Sequence, residues 1–282
     1  MRLRSRQSEL AALALLAWAA QAAAAPPPPP FTLRGSWQQG SLIFGRIDPR
    51  GRVSFNGRPL RISPTGDFVF GLDRDEPARA ELQVVAAGMP SAIFHYAVAP
   101  HAWPLKRIEG LPPATVNPPP EAQARIEREQ ALIAAAHSVD SGLGGYLEHF
   151  VWPVHGPISV RFGSQRVLNG SPNHPHLGMD IAVPAGTPVV APASGVVTLA
   201  EPDLFFTGGT VILDHGHGVF SVFAHLSRLN VKVGDRIARG ALLADSGMTG
   251  RATGPHLHWG LYWFNAHVDP LQTIAQSSAA KH

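Results

Sequence analysis

The chain has 282 residues, 45% of them hydrophobic and 15% charged, with a formal net charge of +3. That length accommodates two modest domains, and a weakly basic balance without any long Lys/Arg run argues against a nucleic-acid ligand while leaving an acidic polymer open. The lack of any cysteine excludes a disulfide framework and a lipid-modified cysteine anchor. The 28 Gly and 27 Pro favour many turns and short strands, so a mainly β fold is expected.

In chain order, Arg2, Arg4 and Arg6 precede an apolar run from Leu10 to Ala20 and a small-residue stretch ending at Ala25. This reads as a secretory signal peptide over residues 1–25, and hence as an exported, periplasmic or secreted protein. The apolar run falls short of the roughly 20 residues a bilayer span needs, so no stable membrane span is expected after cleavage. Pro26 to Pro30 form a stiff extended spacer. Residues 31–100 alternate as short strands. Val53-Ser54-Phe55 and Leu60-Arg61-Ile62 flank Asn56-Gly57, a hairpin signal, because both turn residues tolerate positive φ. A small β-sandwich is predicted there, with no catalytic cluster. Residues 101–150 read as a linker. Their one helix lies near 121–137, where Ala122, Ile126, Ile133 and Ala136 form an apolar stripe. A second β domain follows over 151–275, rich in Gly, Pro and short runs such as Val219 to Phe223, and residues 276–282 form a tail.

Three clusters in the second domain carry chemistry: His176 to Asp180, His225-Leu226, and His256-Leu257-His258-Trp259. Residues two apart on a strand point to one face, so His256 and His258 can enter one site while Leu257 and Trp259 turn to the core. An extended path puts His176 and Asp180 on a common face as well, with Gly178 leaving that face clear for an ion. Two imidazoles and a carboxylate are the donor set of catalytic zinc sites that keep a fourth position open, whereas structural zinc sites usually employ cysteine. One paired histidine and His225 are then left over for acid/base work or oxyanion stabilisation in metal-assisted hydrolysis. Spacing alone leaves open which paired histidine binds the metal.

With H-x-G-x-D at His176 to Asp180, His-Leu at His225, and H-L-H-W at His256 to Trp259, residues 152–274 closely resemble the lysostaphin-like (LytM-type) zinc endopeptidases. Gly186-Thr187-Pro188-Val189, Gly195-Val196-Val197 and Gly234-Asp235-Arg236-Ile237 fit the same pattern. The resemblance implies one zinc ion held by His176, Asp180 and His258, with His225 and His256 catalytic. It also implies a compact, duplicated-hybrid-motif-like β domain with a groove, and cleavage of peptide cross-links in bacterial peptidoglycan. Phe223 stands where the family often has tyrosine, which would remove a hydroxyl contact to substrate. Some members carry a blocking asparagine, but no motif aligns Asn169 with it. The N-terminal region loosely resembles the immunoglobulin-like domains that precede this domain in some exported members.

Two rival readings differ in class. A non-catalytic regulator or activator of cell-wall amidases on the same fold would lose metal ligands, which this chain keeps. A phosphocarrier-like β domain would need neither Asp180 nor a signal peptide. In Asp214-His215-Gly216-His217-Gly218 the histidines read as residues of a tight turn. His174 is left outside the metal set because Pro175 favours a loop, and Trp259 is assigned to the core. Neither the oligomeric state nor the cross-link that is cut follows from the sequence.

Overall fold

The computed structural model describes residues 28–108, 120–168, 171–172 and 174–279. The signal peptide read over 1–25, the start of the proline spacer, Asn169, part of the linker and the end of the tail lie outside the described residues. Among these residues, no helix is long and apolar enough to cross a membrane.

The first unit contains β1 (Phe31–Arg34), β2 (Leu42–Ile47), β3 (Arg52–Phe55), β4 (Arg58–Pro59), β5 (Asp67–Gly71), β6 (Arg79–Val85) and β7 (Ala92–Ala97). They form two antiparallel sheets, β1-β2-β5 and β4-β3-β6-β7. The Asn56-Gly57 turn between β3 and β4 takes φ of 45° and 80°, as a tight hairpin demands. On β6 burial alternates, with Ala80, Leu82 and Val84 inward, so one face is packed and one wetted. Both sheets contribute to one core, in which Phe55 stacks on Phe70 at 4.3 Å and Phe31 meets Phe94 edge-on at 4.9 Å. This is the expected sandwich.

The segment read as a linker does more than connect. Within it, β8 (Leu105–Ile108) pairs in parallel with β10 (Gln165–Leu168), which in turn pairs with β11 (Ser171–Pro172). Proline interruption hid this strand, because its partner lies far along the chain. The expected helix is α1 (Gln123–His137), and its Ile126 and Ala136 are buried as the stripe predicts.

The second unit is built on a sheet of β18-β14-β15-β16-β20-β12-β9, with β21 beside β20. The strands are β9 (Ile158–Val160), β12 (Met179–Ile181), β14 (Gly195–Leu204), β15 (Gly208–Gly216), β16 (Val219–Leu226), β18 (Arg236–Ile237), β20 (Leu257–Trp263) and β21 (Ala266–Val268). A smaller sheet of β13 (Pro188–Val190), β19 (Leu242–Asp245) and β17 (Arg228–Leu229) covers part of one face. There Val189, Leu243 and Ala244 pack on Val197, Val211, Phe223 and Trp259. The opposite face is partly covered by α1, through Ala136 on Ile212, Phe220 and Val222. Strands β15 and β16 are therefore buried along their whole length, which is why the Val219 to Phe223 run shows no polar alternation.

Two expectations need correction. Only His217 and Gly218 form the turn between β15 and β16, whereas His215 is a fully buried strand residue. Its Nδ1 faces the Ser194 carbonyl at 2.9 Å and its Nε2 the Ser221 hydroxyl at 2.8 Å, contacts that satisfy an imidazole inside a strand. The end of the chain is also more than a tail: α2 (Pro270–Ala279) begins with Asp269 accepting from the Leu271 amide at 3.0 Å and Pro270 at the first helical position.

The two units share apolar packing. Trp263 lies 6.0 Å from Phe55, its Cβ lies 2.7 Å from where a Cβ on Gly71 would stand, and the Arg58 guanidinium stacks 3.6 Å over Phe264. Trp263→Ala is expected to destabilise the protein by about 3–5 kcal/mol, the cost of a large cavity in a core. Chemical denaturation followed by circular dichroism measures this, and a loss under about 1 kcal/mol would mean that the contact between the units carries little stability.

Candidate metal centre

The site is assembled on the same face of the sheet as α1, over the part that the helix leaves uncovered. On β20 the side chains of Leu257, Trp259 and Leu261 are fully buried in the core, so His258 projects to the opposite face. Immediately before the strand, His256 is held by its amide donating to the Gly247 carbonyl at 3.1 Å. On β12 the same alternation buries Met179 and Ile181 and turns Asp180 outward, directly across the ladder from His258. On the other side of β20, Ala224 of β16 pairs with His258, and its small side chain leaves room for the ring.

His225 breaks the alternation. After Ala224 it should face the core, but its φ of 62° and a register shift between β15 and β16 bulge the strand there. The chain then returns to period, with Leu226 in the core. A bulge beside a site re-aims a side chain, and here it brings the His225 ring to 4.7 Å from His256 and 6.2 Å from His258.

His176 lies outside the strands. Its amide donates to the Ser164 carbonyl and its carbonyl accepts from the Gly163 amide, both at 2.8 Å. Gly178 has a role other than clearing space for an ion: a Cβ there would stand 2.5 Å from Cε1 and Nε2 of His258, so the glycine makes room for the imidazole.

The five residues singled out from the sequence thus meet in one place. Asp180 Oδ1 lies 3.0 Å from His176 Nε2, 2.9 Å from His258 Nδ1 and 3.7 Å from His256 Nε2. One donor atom each from His176, Asp180 and His258 lies within 4.8 Å of the other two, the sole such group among the described residues. His176 Nε2 is buried and without a hydrogen-bond partner, since its approach to Asp180 lies off hydrogen-bonding geometry. A buried ring nitrogen 3.0 Å from a carboxylate oxygen, with no hydrogen bond between them, is costly unless a cation joins the two, so the donors fit a small divalent metal with mixed N/O preference. Zinc meets that description.

Burial would raise the Asp180 carboxyl, but the close His176 and His258 imidazoles outweigh it and hold the group well below the usual carboxylate range. Burial likewise pushes His258 down, against the opposing pull of Asp180, and favours the neutral ring that a metal requires. His225 is pushed down to about 4 by burial, only partly offset by its bond to the Thr249 carbonyl. His225 Nδ1 donates to Thr249 O and His256 Nδ1 to Gly254 O, both at 2.8 Å, so in the neutral rings Nε2 carries the free lone pair.

Thr249 escaped the sequence reading. Besides orienting His225, its hydroxyl donates to Leu226 O at 2.8 Å and accepts from the Gly209 amide at 2.9 Å, tying its loop to the bulge. No local pattern signals that role, because its partners lie 23 to 40 residues away. Phe223, where the resemblance suggested a lost substrate contact, is fully buried on the core face. His174 is exposed and lies outside the three-residue donor group.

Comparison with known proteins gives concordant results. The model of peptidase family M23 matches residues 174–270. The peptidoglycan DD-endopeptidase ShyA of Vibrio cholerae is 42% identical over 87 residues, 31% of this chain and 20% of ShyA. The cell division protein DipM of Caulobacter vibrioides is 31% identical over 182 residues, 64% of this chain and 28% of DipM. The chain thus spans a fifth to under a third of the length of these curated relatives. A crystal structure from Pseudomonas aeruginosa assigned to peptidase M23 is 35% identical, with a TM-score of 0.66, covering 84% of this chain and 94% of that one. With a relative matched over nearly its entire length at this identity, the chain belongs to peptidase family M23.

Proposed function

We propose that the protein is a zinc-dependent endopeptidase that hydrolyses peptide cross-links of bacterial peptidoglycan, with His176, Asp180 and His258 as metal ligands and His225 and His256 as catalytic residues. The observation that carries this reading is the surplus of histidines: beside a complete three-donor set lie two further imidazoles, 4.7 Å apart, each with its Nδ1 bonded to a backbone carbonyl.

Bound there, one zinc ion supplies Lewis-acid polarisation of the scissile carbonyl and lowers the pKa of water toward neutrality. The protein supplies proton handling. A new bond forms between the attacking water oxygen and the carbonyl carbon, and a neutral imidazole of the His225–His256 pair takes the water's proton at Nε2. The same pair returns that proton to the amine nitrogen as the C–N bond breaks. The Thr249 and Gly254 carbonyls keep the proton of each ring on Nδ1 throughout, which fixes the tautomer and the aim.

The substrate is inferred from relatives such as ShyA, named as a peptidoglycan DD-endopeptidase. An exported location follows from that substrate and from the signal-peptide reading of residues 1–25.

Metal analysis paired with release of peptides from purified peptidoglycan tests the reading. Wild type is expected to bind about one zinc per chain and to lose activity on chelation. Asp180→Ala should lose the metal, whereas His256→Ala and His225→Ala should keep it and lose turnover by about 10²–10⁴-fold. Zinc binding by wild type without release from any peptidoglycan type would refute the enzyme assignment, and zinc loss in both histidine variants would refute the division of labour. Gly178→Ala, by displacing the His258 ring, is expected to weaken zinc binding about 10–100-fold in a chelator competition. Unchanged affinity would show that the ring has room to move.

A further inference from the structure

Two of the three proposed ligands are fixed by the central sheet, since Asp180 on β12 and His258 on β20 face each other in one ladder. His176 has no such support. Its backbone hangs on Gly163 and Ser164 by the two bonds already described, so its position is as good as that of the 163–164 loop.

That loop is held from the first unit. Arg74, between β5 and β6, is only 7% exposed and donates to the Gly163 carbonyl through Nη2 at 3.0 Å and Nε at 3.3 Å. Its guanidinium lies 5.6 Å from the Trp103 ring centroid, and the Trp103 indole N–H donates to the Arg74 carbonyl at 3.1 Å. Trp103 in turn packs on the loop: Phe162 meets it edge-on at 5.2 Å, and a Cβ on Gly163 would stand 2.2 Å from its ring. Gly163 has φ of 75°, so the residue that lets the tryptophan approach also adopts a backbone conformation glycine favours. Just beyond Trp103, the Pro104 carbonyl accepts from the Gln165 amide at 2.8 Å.

Two donors of this buried arginine converge on a single carbonyl of another unit while Nη1 pairs with Asp75 Oδ1 at 2.6 Å, so the guanidinium is fixed in one pose rather than merely packed. What that carbonyl belongs to gives it a purpose. The Gly163 amide donates to the His176 carbonyl, and groups that orient metal ligands in this way set affinity as well as geometry. We infer that Arg74, seated against Trp103, is a positioning residue for the metal site, through which the N-terminal unit holds the ligand His176 in place via the Gly163–Ser164 loop. This rests on the zinc reading above. The first unit is accordingly part of the metal centre's support.

The test measures the Zn2+ dissociation constant of the full chain by competition with a chromophoric chelator, with folding checked by circular dichroism and Co2+ absorption recorded on the same proteins. Arg74→Ala is expected to weaken Zn2+ binding about 10-fold or more and to change the Co2+ spectrum. Arg74→Lys and Trp103→Phe, which keep the charge and the ring respectively, should give smaller losses. Arg58→Ala serves as the control, since it removes the stacking on Phe264 between the same two units without touching residues 161–176. It should leave Zn2+ affinity within twofold. A folded Arg74→Ala protein with wild-type affinity, or an equal loss in Arg58→Ala, overturns the inference. If Arg74→Ala does not fold, Arg74→Lys and Trp103→Phe decide it by the same measure, unchanged affinity in both being fatal. Failure of wild type to bind Zn2+ would instead overturn the metal-centre reading itself.

Discussion

The site depends first on the register that sets Asp180 opposite His258 across the β12–β20 ladder. Side chains alternate along a strand, so a slip of one residue would send both groups into the core and bring Leu257 and Trp259 to the surface. The hydrophobic partners prevent that slip. Met179, Ile181, Leu257 and Trp259 are all fully buried on the far face, and each contributes about 1.5–3 kcal/mol of burial that a wrong register would forfeit. The chemistry on one face is therefore held in place by the packing on the other.

The same arrangement explains where the sheet departs from regularity. A flat ladder would offer His256, His258 and Asp180 on one face but would turn His225 away. The bulge with His225 at positive φ overcomes this, at a cost of order 1–3 kcal/mol for a non-glycine residue in that region. Thr249, with bonds to His225, Leu226 and Gly209, is the local compensation, because it holds both sides of the irregular step. A carboxylate set among imidazoles in a largely buried pocket is a second local cost. For Asp180 the neighbouring imidazoles outweigh it, whereas His176 Nε2 is left unpartnered, a cost that a bound cation would remove.

What could be read from the sequence was whatever the chain encodes at short range. The His256-x-His258 spacing, the Asn56-Gly57 turn and the apolar stripe of α1 each express a period or a turn preference within a few residues, and each has the expected local form in the structure. Asp269-Pro270 at the start of α2 is an equally local signal, but the sequence reading divides that helix between the β domain and a tail from residue 276. Assigning His215 to a turn failed for a different reason: Asp and Gly neighbours do favour bends, yet the packing of β15 against Phe150 and Ser221 overrode that preference. The contacts of Thr249, Arg74 and Trp103 are set by tertiary structure alone. Arg74 reaches a carbonyl 89 positions away, and nothing in its own neighbourhood announces it.

Long-range support of this kind follows from the geometry of a site laid along a sheet. Strands position groups well across a ladder but poorly beyond its edge, and β12 is flanked by β9, a three-residue edge strand. A side chain that enters the site from the loop before β12, as His176 does, must therefore borrow rigidity from elsewhere. Here the neighbouring structure comes from two directions. The β8 strand extends the β10–β11 hairpin by parallel pairing, and the loop between β5 and β6 reaches the second unit twice, with Arg74 on Gly163 and Asp73 accepting from the His267 amide at 2.8 Å. The residues that read as a separate β-sandwich and a linker thus bear on the loop bonded to His176, the proposed ligand that the central sheet does not hold.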